Sequence, residues 1–157
     1  MHKRTGRNNV LKSILVSACL LGTPCRYDGQ SKPCDAVLAL RERYSLIPVC
    51  PEVMGGLPTP RVPSEICGER VMMKSGTDVT HNYRSGAEQS LDAARKNQCA
   101  LAILKAKSPS CGKGLVYDGS FCGVLRQGNG ICAELLLQNG IDVYTESELE
   151  AGNVPLP

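Results

Sequence analysis

A chain of 157 residues, 42% hydrophobic and 21% charged, has the size and composition of one globular domain whose core needs no staples. The formal net charge of +3 is mild and aromatics are 4% with no tryptophan, so base-stacking platforms are scarce and nothing argues for a large nucleic-acid partner. No apolar run approaches the roughly 18 residues of a membrane span, and nine irregularly spaced cysteines suit a reducing cytoplasm, where thiols are core fillers, ligands or reactive groups.

Residues 1–12, opening with "MHKRTGR", read as a flexible tail, and 13–157 as a single α/β domain. The basic start followed by "ILVSAC" imitates a lipoprotein signal. Its apolar stretch before Cys19, "ILVSA", is shorter than the roughly 7–15 residues such a signal needs. "SILVSA" (13–18) predicts the first strand, "DAVLALRERY" (35–44) a helix with an acidic cap candidate, and "SLIPVC" (45–50) the second strand. A proline- and glycine-rich insert, "PEVMGGLPTPRVPSEICGERVMMKSGT", follows and is expected to fold over the sheet edge, with a small hairpin around "RVMMKSGTDV". A helix lies within 78–97, a third strand in "CALAILK" (99–105), a helix in "GICAELLLQNG" (130–140) and a fourth strand in "IDVYT" (141–145). The strand runs are continuously apolar rather than alternating, which predicts burial on both faces. This order predicts a three-layer αβα domain with a mostly parallel, Rossmann-like sheet and right-handed crossovers. "RYDGQ" and "VYDGS" echo each other only as Asp-Gly turns.

Ligands of open α/β sheets bind at the carboxyl ends of the strands. Cys19 follows the first strand, Cys50 ends the second, and Cys111 lies in "AKSPSCGKG" beyond the third. Three thiolates converging there can hold zinc with an open position, form a redox relay, or hold a [4Fe–4S] cluster at three irons and leave the fourth as a soft Lewis acid. Spacings of 31 and 61 residues match no short ligand motif, and ordinary buried cysteines remain an equal reading. A phosphatase-type loop needs five residues between cysteine and arginine. Six separate Cys19 from Arg26, and Pro24 removes an amide, which weakens that reading.

The motifs "VSACLLGTPCRYDGQSK", "PVCPEVMGGLPTPR", "GTDVT", "ILKAKSPSCGKG" and "YDGSFCGVL" resemble the thiouracil desulfidase family over roughly residues 12 to 146. The resemblance implies a [4Fe–4S] cluster held by Cys19, Cys50 and Cys111, with the free iron taking the thiocarbonyl sulfur of a thiolated nucleobase or nucleoside. It implies hydrolytic release of sulfide, no NAD or flavin, and dependence on cluster-assembly machinery. Cys25 is read as a spare thiol. Cys99 and Cys132 are read as core, and Cys34, Cys67 and Cys122 as small loop residues. Glu52, two residues after Cys50, is a candidate general base or a loop cap. Ser108 and Ser110 flank Pro109 as candidates to position substrate or to make a turn. Arg26, Tyr27 and Asp28 are candidates to grip a uracil-like ring through its amide edge, or Arg26 and Asp28 to fix their loop as a pair. Arg61 lines the mouth or stiffens its loop, and neither His2 nor His81 is expected to be a ligand. Two other classes stay open: a sulfide carrier or cluster-binding accessory protein, and a zinc- or thiol-dependent protein without iron.

Overall fold

The structure is a computed structural model that describes residues 10–157; the tail assigned to 1–12, with His2, therefore lies mostly outside the described residues. In chain order the elements are β1 (Ser13–Ser17), a 3-10 turn (Ala18–Leu21), α1 (Asp35–Ala39) continued by a 3-10 turn (Leu40–Glu42), β2 (Ser45–Val49), α2 (Pro51–Met54), β3 (Ser64–Cys67) and β4 (Arg70–Met73). There follow α3 (Thr80–Lys96), β5 (Leu101–Leu104), β6 (Leu115–Tyr117), β7 (Leu125–Gln127), α4 (Ile131–Gln138), β8 (Asp142–Thr145) and α5 (Glu146–Glu150).

Four strands form one parallel sheet in the order β2-β1-β5-β8. The period-2 alternation of strand side chains sends Ile14, Val16, Leu101 and Ile103 to one face, where they pack with Leu20, Val37 and Leu40. Leu15, Ala102 and Leu104 face the other way, against Ala87 and Leu91 of α3 and Ala133 and Leu136 of α4. Helices thus cover both faces, as continuous apolar runs require. Burial on both faces is complete only for the central strands β1 and β5. β2 is an edge strand, half-buried and with Pro48 exposed, an edge being where a strand tolerates a missing N–H. Among the described residues no helix is long and apolar enough to cross a membrane.

Residues 50–79 connect β2 to α3 through α2 and an antiparallel β3–β4 hairpin, with Ser64 opposite Met73 and Cys67 opposite Arg70. The hairpin thus forms one segment earlier than 70–79. The anticipated pairing is present as a single bridge between Met72 and Asp78. Ile66, Val71, Val79, Tyr83 and Val116 form a small core beneath it. Three elements were not anticipated: α2, the β6–β7 hairpin and α5. The last begins with a capping box, Thr145 accepting from the Glu148 amide while Glu148 reaches back to the Thr145 amide, and "TESE" is its sequence signature.

Two glycines set how closely the helices approach the strand ends. A Cβ on Gly86 of α3 would lie 1.7 Å from the Pro51 carbonyl oxygen, and one on Gly130, just before α4, 2.5 Å from the Ser110 carbonyl. Each helix therefore presses backbone to backbone against a segment that carries a candidate cysteine.

Candidate functional site

Parallel register delivers the cysteines to one end of the sheet. Ser17 is opposite Val49, so the chain leaves β1 and β2 at the same edge, placing Cys19 in the 3-10 turn and Cys50 immediately beyond β2. β5 ends beside them, and the loop 105–111 returns Cys111. All three line one cleft of about 620 Å3, together with Cys25, Arg26, Glu52, Arg61, Ser108 and Ser110. Every candidate from the sequence lies on this cleft except Asp28. Its Oδ1 accepts from the Gln30 amide at 3.0 Å, and Arg26 Nη2 stands 3.8 Å from its Oδ2. Asp118 makes the same turn with the Ser120 amide at 2.9 Å, which accounts for the echo of the two Asp-Gly segments.

The sulfurs differ in environment. Burial pushes the Cys19 thiol up to about 11, nearby Cys50 adds to the shift, and Lys105 and Arg26 oppose it. Burial raises Cys111 well above the ordinary thiol range, while hydrogen bonds from Ser17 and Ser110 pull the other way. Cys25 and Cys50 share a hydrogen bond that holds the Cys50 thiol low and the Cys25 thiol high. Cys50 Sγ also lies 3.7 Å from the Cys25 carbonyl oxygen, a contact the protonated thiol donates and the thiolate gives up.

One polar network joins the three cysteine segments. Glu52 Oε1 accepts from Arg61 Nε at 3.2 Å and from the Tyr83 hydroxyl at 2.7 Å, and Glu52 Oε2 accepts from Ser110 Oγ at 3.3 Å. The Arg61 side chain, 2% exposed, extends the network by donating from Nη2 to the Cys25 carbonyl at 2.9 Å. Ser110 Oγ is 3.5 Å from Cys111 Sγ. Ser108 Oγ accepts from the amides of Ser110 and Cys111 at 3.2 and 3.1 Å. Burial, reinforced by Glu52, raises the Tyr83 pKa and keeps the hydroxyl protonated as a donor.

The model of the 2-thiouracil desulfurase family matches residues 14–148. The chain belongs to that family. It is 40% identical over 146 residues to the Bacillus subtilis (strain 168) protein YbbK, described as uncharacterized, covering 87% of this chain and 97% of that protein. A solved structure, of a [4Fe-4S]-dependent thiouracil desulfidase TudS, is 46% identical with a TM-score of 0.84, over 89% of this chain and 94% of that one.

Among the described residues no three His, Cys, Asp or Glu groups close around a single ion. Soft thiols without histidine, spread around one cleft, are the donor set iron–sulfur clusters use. His81 is exposed on α3 and does not line the cleft.

Of the remaining thiols, Cys132 is core as read. Cys34 is core too, packed beside Val37 and Leu40 rather than loose in a loop, and donates to Glu150 Oε1 at 3.3 Å. Cys99 is half-buried at the rim of the α3–α4 core. Sequence reasoning did not find Tyr83, or the Lys105–Glu146 ion pair, 2.9 Å, at the end of β5. Tyr83 carries no distinguishing signal, because an aromatic on the buried face of a helix reads as core.

Proposed function

We propose that this chain is a [4Fe–4S]-dependent desulfidase that removes sulfur from thiolated pyrimidines such as thiouracil by hydrolysis, with Cys19, Cys50 and Cys111 as the cluster ligands. The supporting observation is three cysteines from three strand ends on one cleft, with Glu52 and Ser110 beside Cys111, in a chain 46% identical to a [4Fe-4S]-dependent thiouracil desulfidase. When bound through three thiolates, such a cluster leaves one iron without a protein ligand, a soft Lewis acid suited to a thiocarbonyl sulfur.

The chain's own groups then divide the remaining work. Glu52 Oε1 is saturated by Arg61 and Tyr83, so proton exchange falls to Oε2, which faces Ser110. Ser110 Oγ directs its proton to that oxygen and accepts from Ser108 Oγ at 3.0 Å, which leaves one lone pair to orient a water molecule for attack. The amides of Ser110 and Cys111 donate to Ser108 Oγ, which fixes the loop geometry on which this alignment depends. Arg26, half-buried on the cleft wall, donates to the carbonyl edge of the ring, and Asp28 holds the Arg26 loop. The water oxygen forms the new C–O bond, the C–S bond breaks, and both water protons finish on sulfide. No electrons are transferred overall, so neither NAD nor flavin is needed. The reading places the protein in the cytoplasm and makes it a client of cluster-assembly machinery.

Anaerobic purification followed by iron, zinc and acid-labile sulfide analysis and a thiouracil turnover assay tests the proposal. Iron with labile sulfide and release of sulfide from thiouracil support it. A cluster without turnover would make the chain an accessory or carrier protein. Zinc, or thiols without iron, would refute the cofactor.

A further inference from the structure

Nine cysteines outnumber the three that the cluster reading uses, and most of the thiols have settled partners. Cys34 donates to Glu150, Cys67 to the Glu65 and Gly119 carbonyls, and Cys122 to the Ser120 carbonyl. Cys111 and Cys132 sit beside serine hydroxyls. Among the described residues, Cys25 and Cys50 are the thiols that hydrogen-bond to each other.

The fold holds that contact from both sides. Arg61, its side chain 2% exposed, donates from Nη2 to the Cys25 carbonyl at 2.9 Å, and Cys50 Sγ lies 3.7 Å from the same oxygen. Cys50 in turn caps α2, whose Pro51 carbonyl is pressed against Gly86 of α3. Sulfurs held in contact can close a disulfide by side-chain rotation, without the backbone movement that a distant pair needs. Both thiols line the cleft, and Cys50 is half-buried there, whereas Cys19 and Cys111 are buried. An accessible thiol beside a second cysteine is the arrangement that reversible oxidation uses.

We propose that Cys25 and Cys50 form a peroxide-responsive dithiol site, in which Cys25 resolves oxidised Cys50 as a disulfide whenever the cluster is absent. Cys50 sulfur attacks one oxygen of hydrogen peroxide, the O–O bond breaks, and water leaves a sulfenic acid on Cys50. Cys25 sulfur then attacks that sulfur, the S–O bond breaks, and a second water leaves. The two thiols lose two electrons and two protons, and one peroxide becomes two waters. A dithiol reductant reverses the step by exchange. Without Cys25, a second peroxide carries Cys50 on to the sulfinic acid, which dithiols do not reduce, and the ligand is lost. The disulfide itself needs no metal; its value as protection of a ligand rests on the desulfidase reading.

The test treats the full chain, freed of metal by chelation and reduced, with a slight excess of hydrogen peroxide. Free thiols are then alkylated and the peptides mapped by mass spectrometry, in the wild type, Cys25→Ser and Cys25→Ala. The wild type should give a Cys25–Cys50 disulfide that a dithiol reductant reopens. Iron and labile sulfide on later reconstitution should return to the level of untreated protein. Both variants should load like the wild type before peroxide, which checks that they fold. After peroxide and reductant they should show sulfinic Cys50 and recover several-fold less iron. A disulfide joining Cys50 to Cys19, sulfinic Cys50 in the wild type, or equal recovery in the variants would overturn the inference. Variants that do not load before peroxide would make Cys25 a ligand and overturn it too. If the untreated wild type takes up no iron, the desulfidase reading falls instead, and the disulfide map of the metal-free chain decides the inference alone.

Discussion

Cys111 and Cys132 occupy the same apolar cluster between the sheet and helices α3 and α4, and burial raises both thiols above their ordinary range. Their surroundings otherwise diverge. Cys132 has the Ser90 hydroxyl as its polar neighbour and no access to the cleft, and its thiol is pushed up to about 12. Cys111 has Ser17 and Ser110 beside its sulfur and opens onto the cleft. The contrast teaches that burial does not separate a candidate ligand from a core filler. Position relative to the carboxyl ends of the strands does, because only there do loops from different strands bring polar groups to one point.

The comparison breaks most sharply under serine substitution. Cys19→Ser, Cys50→Ser and Cys111→Ser should each abolish cluster assembly, since three thiolates already leave one iron without a protein ligand and the loss of another leaves two. Cys25→Ser and Cys132→Ser should assemble it, read as iron and labile sulfide per chain after anaerobic reconstitution. Loss in Cys25→Ser equal to that in the three would make Cys25 a fourth ligand and remove the open iron.

Glu52→Gln preserves shape while removing the carboxylate. Sulfide release per cluster should fall by roughly 10²–10⁴-fold, the usual contribution of a general base, with cluster content retained. Wild-type rates in single-turnover assays would move the proton-accepting role away from Glu52. A variant that instead loses its cluster would mark Glu52 as a support for the Arg61 network.

Gly86→Ala sharpens the contrast from the backbone side. Replacing an interior helical glycine by alanine normally stabilises by about 1 kcal/mol. Here the added Cβ would meet the Pro51 carbonyl at 1.7 Å, so the sign should reverse to a loss of about 1–3 kcal/mol, the usual cost of overpacking. Cluster content should fall as well, because Pro51 follows Cys50. A rise in melting temperature would show that α3 and the Cys50 turn are not locked together.

Cys132→Ala should have the smallest effect. Removing one buried sulfur should cost about 1 kcal/mol in denaturant unfolding, with cluster content and turnover per cluster unchanged. Loss of the cluster would mean that the core thiol and the cleft thiol are not separable in function.

Much of this arrangement was legible in the chain. The apolar runs at 13–18, 45–50, 99–105 and 141–145 all carry strands, and the helices fall close to where caps and stops place them. The three cysteines after strands were readable as candidates because a parallel sheet sends all its strand ends to one edge. Thr145 and Glu148 show that a local signal can also be passed over, since the capping box was present in "TESE".

Tertiary structure alone decided the rest. Which strands are edges depends on sheet order, so Pro48 could be placed on an edge only once β2 was seen beside β1 and nothing else. Arg61 reaches the Cys25 carbonyl 36 residues away, and Glu52 meets Ser110 across 58. Apolar periodicity records which face of an element is buried and carries no address for a distant polar partner. The close approach at Gly86 is hidden for the same reason, because a glycine in a helical pattern reads as a weak point until the neighbouring backbone occupies the space of its missing Cβ. Strand ends and cysteines are local facts of this chain, whereas the network that binds them into one site exists only where the crossovers bring three distant loops together.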